Sequence, residues 1–479
     1  LAYTQGTTEP NRPVKYQHAP SAIEELKRLA DKFNVAVDAI DDVSILAEPV
    51  RAGELVIPNS LAVHPMESND GDTDGRPGEL TFRRYERFAA GGAGLIWVEA
   101  IAVVPQGRAY PRQLWLNRDN AETFAALIDH IKKTAQRNEP TCRPVVVAQL
   151  THSGRYSKPD PVIAQHDPYR DAMTLQPEPD PNATRRIPED WPVVTDQYLD
   201  GLVDAYVEAA ALAFDVGFDA VDIKSCHGYL ASELLSCHTR KGKYGGSFEN
   251  RTRLLLNIID AIRQRLGDDR HLVTRLGLYD GVPYPFGWGV DKGDYRLADL
   301  TEPKKLVALL VQRGLRMINV SIANPRLNPH YGRPYDRPVA GAYEQPEHPL
   351  VGVARLIGLA GDIQKEFPDI AIVGTGYSWL RTLMPNVAAA SKRNGLAKIV
   401  GVGRMAFAYP DFARDIILNG RLDSDKVCVT CSRCSRIMAN GGMTGCVVRD
   451  KEIYGPIYRR LCSNTDQSRP QVNRRDFIA

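Results

Sequence analysis

Residues 217–253 read GFDAVDIKSCHGYLASELLSCHTRKGKYGGSFENRTR. Ala220–Lys224 predict a short strand: the alternation has period two, with Asp222 and Lys224 on one face and Val221 and Ile223 on the other. The run continues into Ser225, Cys226, His227, Gly228 and Tyr229, so a Lys, a His and a Tyr gather at the C-terminal end of one strand. In a parallel α/β barrel that end carries the chemistry. The competing reading is a buried strand followed by a His and a Tyr satisfied within a core.

Seven further β-rich apolar runs flank this one: Glu54–Val63, Gly94–Val103, Val145–Leu150, His271–Gly277, Arg316–Ile322, Ile370–Gly374 and Ala397–Val402. Segments of helical period separate them, most clearly Asp119–Gln136, Asp196–Phe214, Asn250–Leu266, Pro303–Arg313, Val351–Glu366 and Trp379–Lys392. Eight strands alternating with helices predict the α/β class and a (β/α)8 TIM barrel. A doubly wound open sheet is the alternative; it too places ligands at strand C-termini. The expected organisation is an N-terminal extension (1–50), a barrel (51–420) and a cysteine-bearing segment with a basic tail (421–479). The extension has one amphipathic helix, near Ala22–Phe33, expected to pack on the barrel exterior.

Composition is that of a globular enzyme, 43% hydrophobic and 25% charged. A net charge of +2 predicts no strong attraction to nucleic acid or anionic membrane, and no apolar run is long enough to span a bilayer. These features lead to the expectation of a cytoplasmic homo-oligomer acting on a small molecule. Two long Pro-rich loops, 156–195 and 323–349, follow strands and are expected on the catalytic face. The second carries Arg326, His330, Tyr331, Arg333, Tyr335 and Arg337, suited to an anionic or aromatic substrate, or simply a solvated loop.

Four of the eight cysteines fall within 19 residues, as Cys428-x2-Cys431-x2-Cys434-x11-Cys446. That clustering points to a metal or cluster site in a reducing compartment rather than a disulfide framework. Three thiolates at regular intervals and one distant thiolate can reach the corners of a 4Fe–4S cubane; a four-thiolate zinc site is the alternative. Cys226 and Cys237 beside the active turn, and Cys142 and Cys462 elsewhere, are read as packing residues.

HGYL at 227–230 followed by YGGSFENRTRLLL at 244–256 resembles the old yellow enzyme family of FMN barrels. HPM at 64–66, GAGLIWVEA at 92–100, QLTHSGR at 149–155, TRLG at 274–277 and GVGRMAFAYPDFARD at 401–415 match that family in order. The resemblance covers about residues 55–450. The cysteine spacing is similar to that of the family's iron–sulfur branch, which includes trimethylamine dehydrogenase and 2,4-dienoyl-CoA reductase. It implies FMN and a 4Fe–4S cluster held by Cys428, Cys431, Cys434 and Cys446.

By the same resemblance, Pro65, Met66 and Ala100 lie along the flavin, and Gln149 meets its pyrimidine edge. Arg275 offsets the negative charge of the reduced ring, as a fixed guanidinium can. Gly374, Gly376, Gly403 and Arg404 hold the phosphate. Tyr229 becomes the proton donor and His227 the carbonyl ligand. Where the family has a second His or Asn, this chain has Lys224, expected either to hold a carboxylate or enolate or to pair with Asp222. Glu67 stands where the family has Cys or Thr, and is expected to turn to solvent or to tune the flavin.

The implied activity is reduction of a C=C bond activated by a carbonyl or carboxylate. No GxGxxG opens a βαβ unit, so electrons are expected either from NADH or NADPH at the barrel mouth or from a separate electron-transfer protein through the cluster. One rival is an amine or demethylating dehydrogenase, with Tyr284, Phe286 and Trp288 as a candidate aromatic cage. Another is a flavin-free barrel scaffold with a zinc module.

Overall fold

The computed structural model describes residues 19–174, 187–338 and 345–462. Parts of both Pro-rich loops (175–186 and 339–344) and the basic tail (463–479) lie outside the described residues. Among the described residues there are ten strands: β1 (Val50–Ala52), β2 (Leu55–Ile57), β3 (Leu61–Val63), β4 (Leu95–Ala102), β5 (Val145–Thr151), β6 (Ala220–Ile223), β7 (Leu272–Gly277), β8 (Met317–Ser321), β9 (Ala371–Gly374) and β10 (Ile399–Val402). Strands β3 to β10 close into an eight-stranded barrel of parallel pairs, β10 returning to β3. Every residue of these eight strands is buried. Strands covered on both faces explain why the sequence shows apolar runs there rather than clean alternation.

The single run expected over Glu54–Val63 is two strands. Pro58 lacks an N–H, and the Asn59 side chain takes the backbone N–H groups of Leu61 (3.1 Å) and Gly94 (2.9 Å), turning the chain into the barrel. The piece before the break forms an antiparallel hairpin with β1, Val50 opposite Ile57. Ile57 packs with Trp97, Val147, Val273 and Val373 and plugs the N-terminal end of the barrel.

The larger core lies between barrel and helices, and Val221 and Ile223 belong to it. Two caps set long helices: Thr195 accepts from Tyr198 N at the start of Asp196–Asp215, and Ser247 accepts from Asn250 N at the start of Phe248–Leu266. The run Trp379–Lys392 is broken into a 3-10 segment, Tyr377–Leu383, and a helix, Met384–Arg393. Pro385 opens the second piece, and Arg381 lies at φ 52° in the kink. A helix at Glu79–Ala90, absent from the sequence reading, follows β3. The N-terminal helix Ile23–Phe33 buries Leu26 and Ala30 on the barrel exterior, where Phe33 stacks on His348 at 4.3 Å.

Candidate active site and cysteine cavity

Asp222 and Lys224 face the barrel axis, as the alternation required, but they do not pair with each other. The Asp222 carboxylate accepts from Trp97 Nε1 (2.9 Å), Gln149 Nε2 (2.7 Å) and the Arg275 backbone N–H (2.7 Å). Burial still raises its pKa to about 6, against those three hydrogen bonds. Lys224 reaches the turn after β3, where its Nζ lies 2.5 Å from Glu67 Oε1. Glu67 is therefore not turned to solvent; its side chain is 9% exposed. The Tyr229 hydroxyl lies 2.6 Å from each Glu67 oxygen, and Lys224 Nζ sits 3.4 Å from the Tyr229 ring centroid. Tyr229, Glu67 and Lys224 thus form one contact group. Burial first, and Glu67 second, hold the Tyr229 phenol well above its ordinary pKa.

His227 has φ 65°, in the left-handed region, and its Nε2 lies 2.7 Å from Ser321 Oγ at the end of β8. Burial, then the charges of Arg275 and Lys224, keep its pKa well below the usual imidazole value, so the ring is neutral. Tyr110 and Tyr156 join Tyr229 in an apolar cluster, and Arg326 lies over the Tyr156 ring at 4.3 Å with Nη2 3.3 Å from the Tyr110 hydroxyl. The second Pro-rich loop therefore sends Arg326 to this site, whereas His330 and Tyr335 are buried and Tyr331 stacks on Tyr279. The three proposed cage aromatics diverge: Tyr284 packs on His238, Phe286 on Tyr169, and Trp288 against Arg251. No single cage forms from them.

The residues assigned to a flavin ring the same barrel end. Ala100 pairs with Gln149 across β4 and β5. Arg275 is buried, with Nη1 3.4 Å from Pro65 O and Nε without a hydrogen-bond partner. Burial lowers its pKa, and among the described residues no carboxylate pairs with it directly. A Cβ on Gly403 would meet Met66 Sδ at 3.2 Å, and one on Gly376, at φ 101°, would meet Leu356 Cδ1 at 2.8 Å. Gly374 closes β9. A buried guanidinium without an anion, an amide oxygen beside it and a glycine-lined turn after β9 and β10 fit a polar ring system bearing a phosphate. Arg404 is also drawn elsewhere: its Nη2 donates to Pro334 O at 2.5 Å, and it lines the cysteine cavity.

That cavity is lined by Cys428, Cys431, Cys434 and Cys446 together with Arg404 and Phe407. Backbone N–H groups of Thr430 and Arg449 point at Cys428 Sγ (3.4 Å) and Cys446 Sγ (3.3 Å). Burial pushes the Cys428 thiol up to about 12, with Arg404 acting in the opposite direction. Among the described residues no three His, Cys, Asp or Glu groups converge closely enough to share one metal ion. An all-thiol set facing one cavity, with N–H groups toward sulfur, fits a soft multi-atom cluster. The segment is tied to the barrel by Thr444 N to Ser68 O (2.8 Å), Asn69 Nδ2 to Gly441 O (2.6 Å) and the bond between Arg333 and Ser435. Cys142, Cys226, Cys237 and Cys462 are buried away from that cavity.

The model of the NADH:flavin oxidoreductase / NADH oxidase family matches residues 45–299. An NADH oxidase of Thermoanaerobacter brockii is 27% identical over 392 residues, 80% of this chain and 52% of its own length. An NADPH dehydrogenase of Halalkalibacterium halodurans is 34% identical over 218 residues, 44% of this chain and 56% of its own. The chain thus spans only about half the length of these two relatives. Among solved structures, a 2-naphthoyl-CoA reductase complex superposes with a TM-score of 0.66 at 20% identity, over 87% of this chain and 58% of the other. An old yellow enzyme homologue from Zymomonas mobilis gives 0.56 at 20% identity, over 79% and 94%. These likenesses establish the barrel fold. With the family model matching more than half of its residues, the chain belongs to the NADH:flavin oxidoreductase / NADH oxidase family.

Proposed function

We propose that this protein is an FMN-dependent oxidoreductase carrying a 4Fe–4S cluster on Cys428, Cys431, Cys434 and Cys446, and that it reduces an activated C=C bond of an α,β-unsaturated carbonyl or carboxylate compound. The names of its relatives support NADH or NADPH as reductant. When bound, FMN supplies a hydride. Gln149, Arg275, Pro65, Met66 and Ala100 would hold its ring, and Gly374, Gly376, Gly403 and Arg404 its phosphate. In the tautomer that accepts from Ser321 at Nε2, His227 carries its proton on Nδ1 and can donate it to a substrate carbonyl oxygen, drawing electron density from the double bond. Tyr229 delivers a proton to the carbon next to that carbonyl. The cationic side chains of Lys224 and Arg326 favour an anionic or carbonyl substrate over a cationic amine.

The observation carrying this reading is the Tyr229 hydroxyl, buried in the turn after β6 two residues beyond neutral His227 and bonded to Glu67. Its test is Tyr229→Phe in anaerobic stopped-flow reoxidation of reduced enzyme by 2-cyclohexenone. Loss of a positioned general acid should slow reoxidation by about 10²–10⁴-fold with substrate affinity little changed. Reoxidation at the wild-type rate would remove Tyr229 from the role.

A further inference from the structure

Tyr229 is buried, and a phenol that gives up its only proton must regain it before the next turnover. We propose that Glu67 and Lys224 form a proton relay that reloads Tyr229 after it has protonated substrate. The inference rests on the assignment of Tyr229 as proton donor.

The geometry is that of a wire. Lys224 Nζ lies 2.5 Å from Glu67 Oε1, and the Tyr229 oxygen lies 2.6 Å from both Glu67 oxygens. Their side chains come from the turn after β3, the end of β6 and the turn that follows it. Lys224 is 4% exposed and Glu67 9%, so bulk water is largely excluded from both. The partners of Glu67 are a phenol and an ammonium, both able to donate; the carboxylate is their shared acceptor. Arg275 acts on Glu67 electrostatically, and Arg326 acts on Tyr229.

In the resting state Lys224 is an ammonium, Glu67 a carboxylate and Tyr229 a phenol. The Tyr229 O–H bond breaks as its proton forms a C–H bond to the substrate carbon, leaving a tyrosinate. Lys224 then gives one proton to Oε1 of Glu67, and Oε1, which also lies 2.6 Å from the Tyr229 oxygen, passes that proton on to the tyrosinate. The carboxyl group ends as it began, Tyr229 is a phenol again and Lys224 is a neutral amine. Lys224 recovers its proton from water through the small part of its side chain that stays exposed. One proton leaves the relay and one enters, with no change in electron count.

The experiment uses the holoenzyme, reduced anaerobically, with 2-cyclohexenone as oxidant. Wild type, Glu67→Gln, Lys224→Met and Tyr229→Phe are compared in a single turnover and in steady state. Glu67→Gln and Lys224→Met each retain one phenolic proton. In Glu67→Gln the first turnover should slow by no more than about threefold, whereas steady-state turnover should fall by at least about tenfold in both variants, in the range of a lost proton-transfer group. A solvent deuterium isotope effect should be larger on steady-state turnover of the two variants than on their first turnover, and added methylamine should partly rescue Lys224→Met.

A second readout needs no turnover. In protein labelled with Cζ-13C tyrosine, the Tyr229 resonance, assigned by its absence in Tyr229→Phe, should shift in Glu67→Gln as the charged acceptor is lost. An unmoved resonance, or wild-type steady-state turnover in Glu67→Gln, would overturn the relay while leaving Tyr229 as donor. First-turnover loss in Glu67→Gln as deep as in Tyr229→Phe would also overturn it, making Glu67 a positioning residue. Full first turnover in Tyr229→Phe, or no reduction of cyclohexenone by wild type, would instead sink the donor assignment on which the relay rests.

Discussion

The cysteine segment should be able to leave the barrel before the barrel itself unfolds, and one carboxylate sets how readily. Asp450 accepts from Arg83 at 2.8 and 3.0 Å and from Arg87 at 2.5 Å, both on helix Glu79–Ala90. Its side chain is 8% exposed, whereas each arginine is 34% exposed. In Asp450→Ala the two guanidiniums can return to water, so the cost is smaller than for a fully buried pair stripped of one partner. Exposed pairs contribute up to about 1 kcal/mol and charge-assisted hydrogen bonds about 1.5–3 kcal/mol, which places the loss near 2–3 kcal/mol for this three-residue contact. Other ties include hydrogen bonds from Ser68, Asn69 and Arg333, the Ser432 hydroxyl donating to Arg337 O, and Met438 packed on the Tyr110–Tyr156–Tyr229 cluster; none of them touches Asp450, so the loss should fall mainly on local opening of the segment. At about 1.4 kcal/mol per decade, amide exchange across 440–462 should rise by about 30- to 150-fold. Exchange in β4 and β5 should not change, and Asp450→Asn, which keeps one acceptor, should fall between. Hydrogen-exchange mass spectrometry at a single pH decides the matter. Unchanged protection in the segment, or an equal loss in the barrel strands, would refute the idea that this contact is an independent clasp.

Two further outcomes follow from buried groups. His152 has Nε2 2.8 Å from the Tyr198 hydroxyl and Nδ1 accepting from Gly154 N at 3.0 Å, and burial lowers its pKa to about 3 from 6.5. Between those values the unfolded chain binds a proton that the folded one does not, so stability falls as pH falls below 6.5, by up to ~1.4 kcal/mol per pH unit. Urea midpoints taken between pH 6.5 and 5 should show a shallower slope in His152→Gln, and an unaltered slope would place the titration elsewhere. Arg275→Met removes the buried cation from the proposed flavin edge. One charge-assisted hydrogen bond of about 1.5–3 kcal/mol corresponds to a two-electron potential lower by about 30–60 mV, read by spectroelectrochemistry; an unchanged potential would mean that Arg275 does not face the reduced ring.

The barrel was legible because strand burial on both faces leaves apolar runs and because turns and helices separate them at regular intervals. What escaped the sequence reading has local physical causes. Helix Glu79–Ala90 carries Arg84 and Thr81 on its buried face beside Tyr85 and Phe88, so its apolar stripe is interrupted. Arg84 is tolerated there because it bridges Asp70, at 3.0 Å, and Glu99, partners supplied by the turn after β3 and by β4. The strand expected over Glu54–Val63 kept its apolar pattern across a proline that ends one pairing and starts another, a change of partner to which periodicity is blind.

The candidate site divides along the same line. Period-two alternation was enough to turn Asp222 and Lys224 inward, since it depends only on backbone pleat. It could not say which acid Lys224 would meet, because an inward cation is paired by whichever carboxylate the barrel closure brings near. Asp222 was the local choice, two residues away, but its oxygens are occupied by Trp97, Gln149 and the Arg275 N–H. Lys224 is therefore left to Glu67, 157 positions away in the chain. That displacement gives the site its character. A Lys224–Asp222 pair would have been a structural strut within two strands. A Lys224–Glu67 pair touches Tyr229 and links the strand that carries the phenol to the turn along which the flavin is proposed to lie. The same reasoning applies to Arg326 and Tyr110: neither belongs to a motif, and they meet only because a loop after β8 folds over a loop after β4. Residues whose role depends on closure between distant elements are the ones a single sequence hides, and here they surround the proposed proton donor.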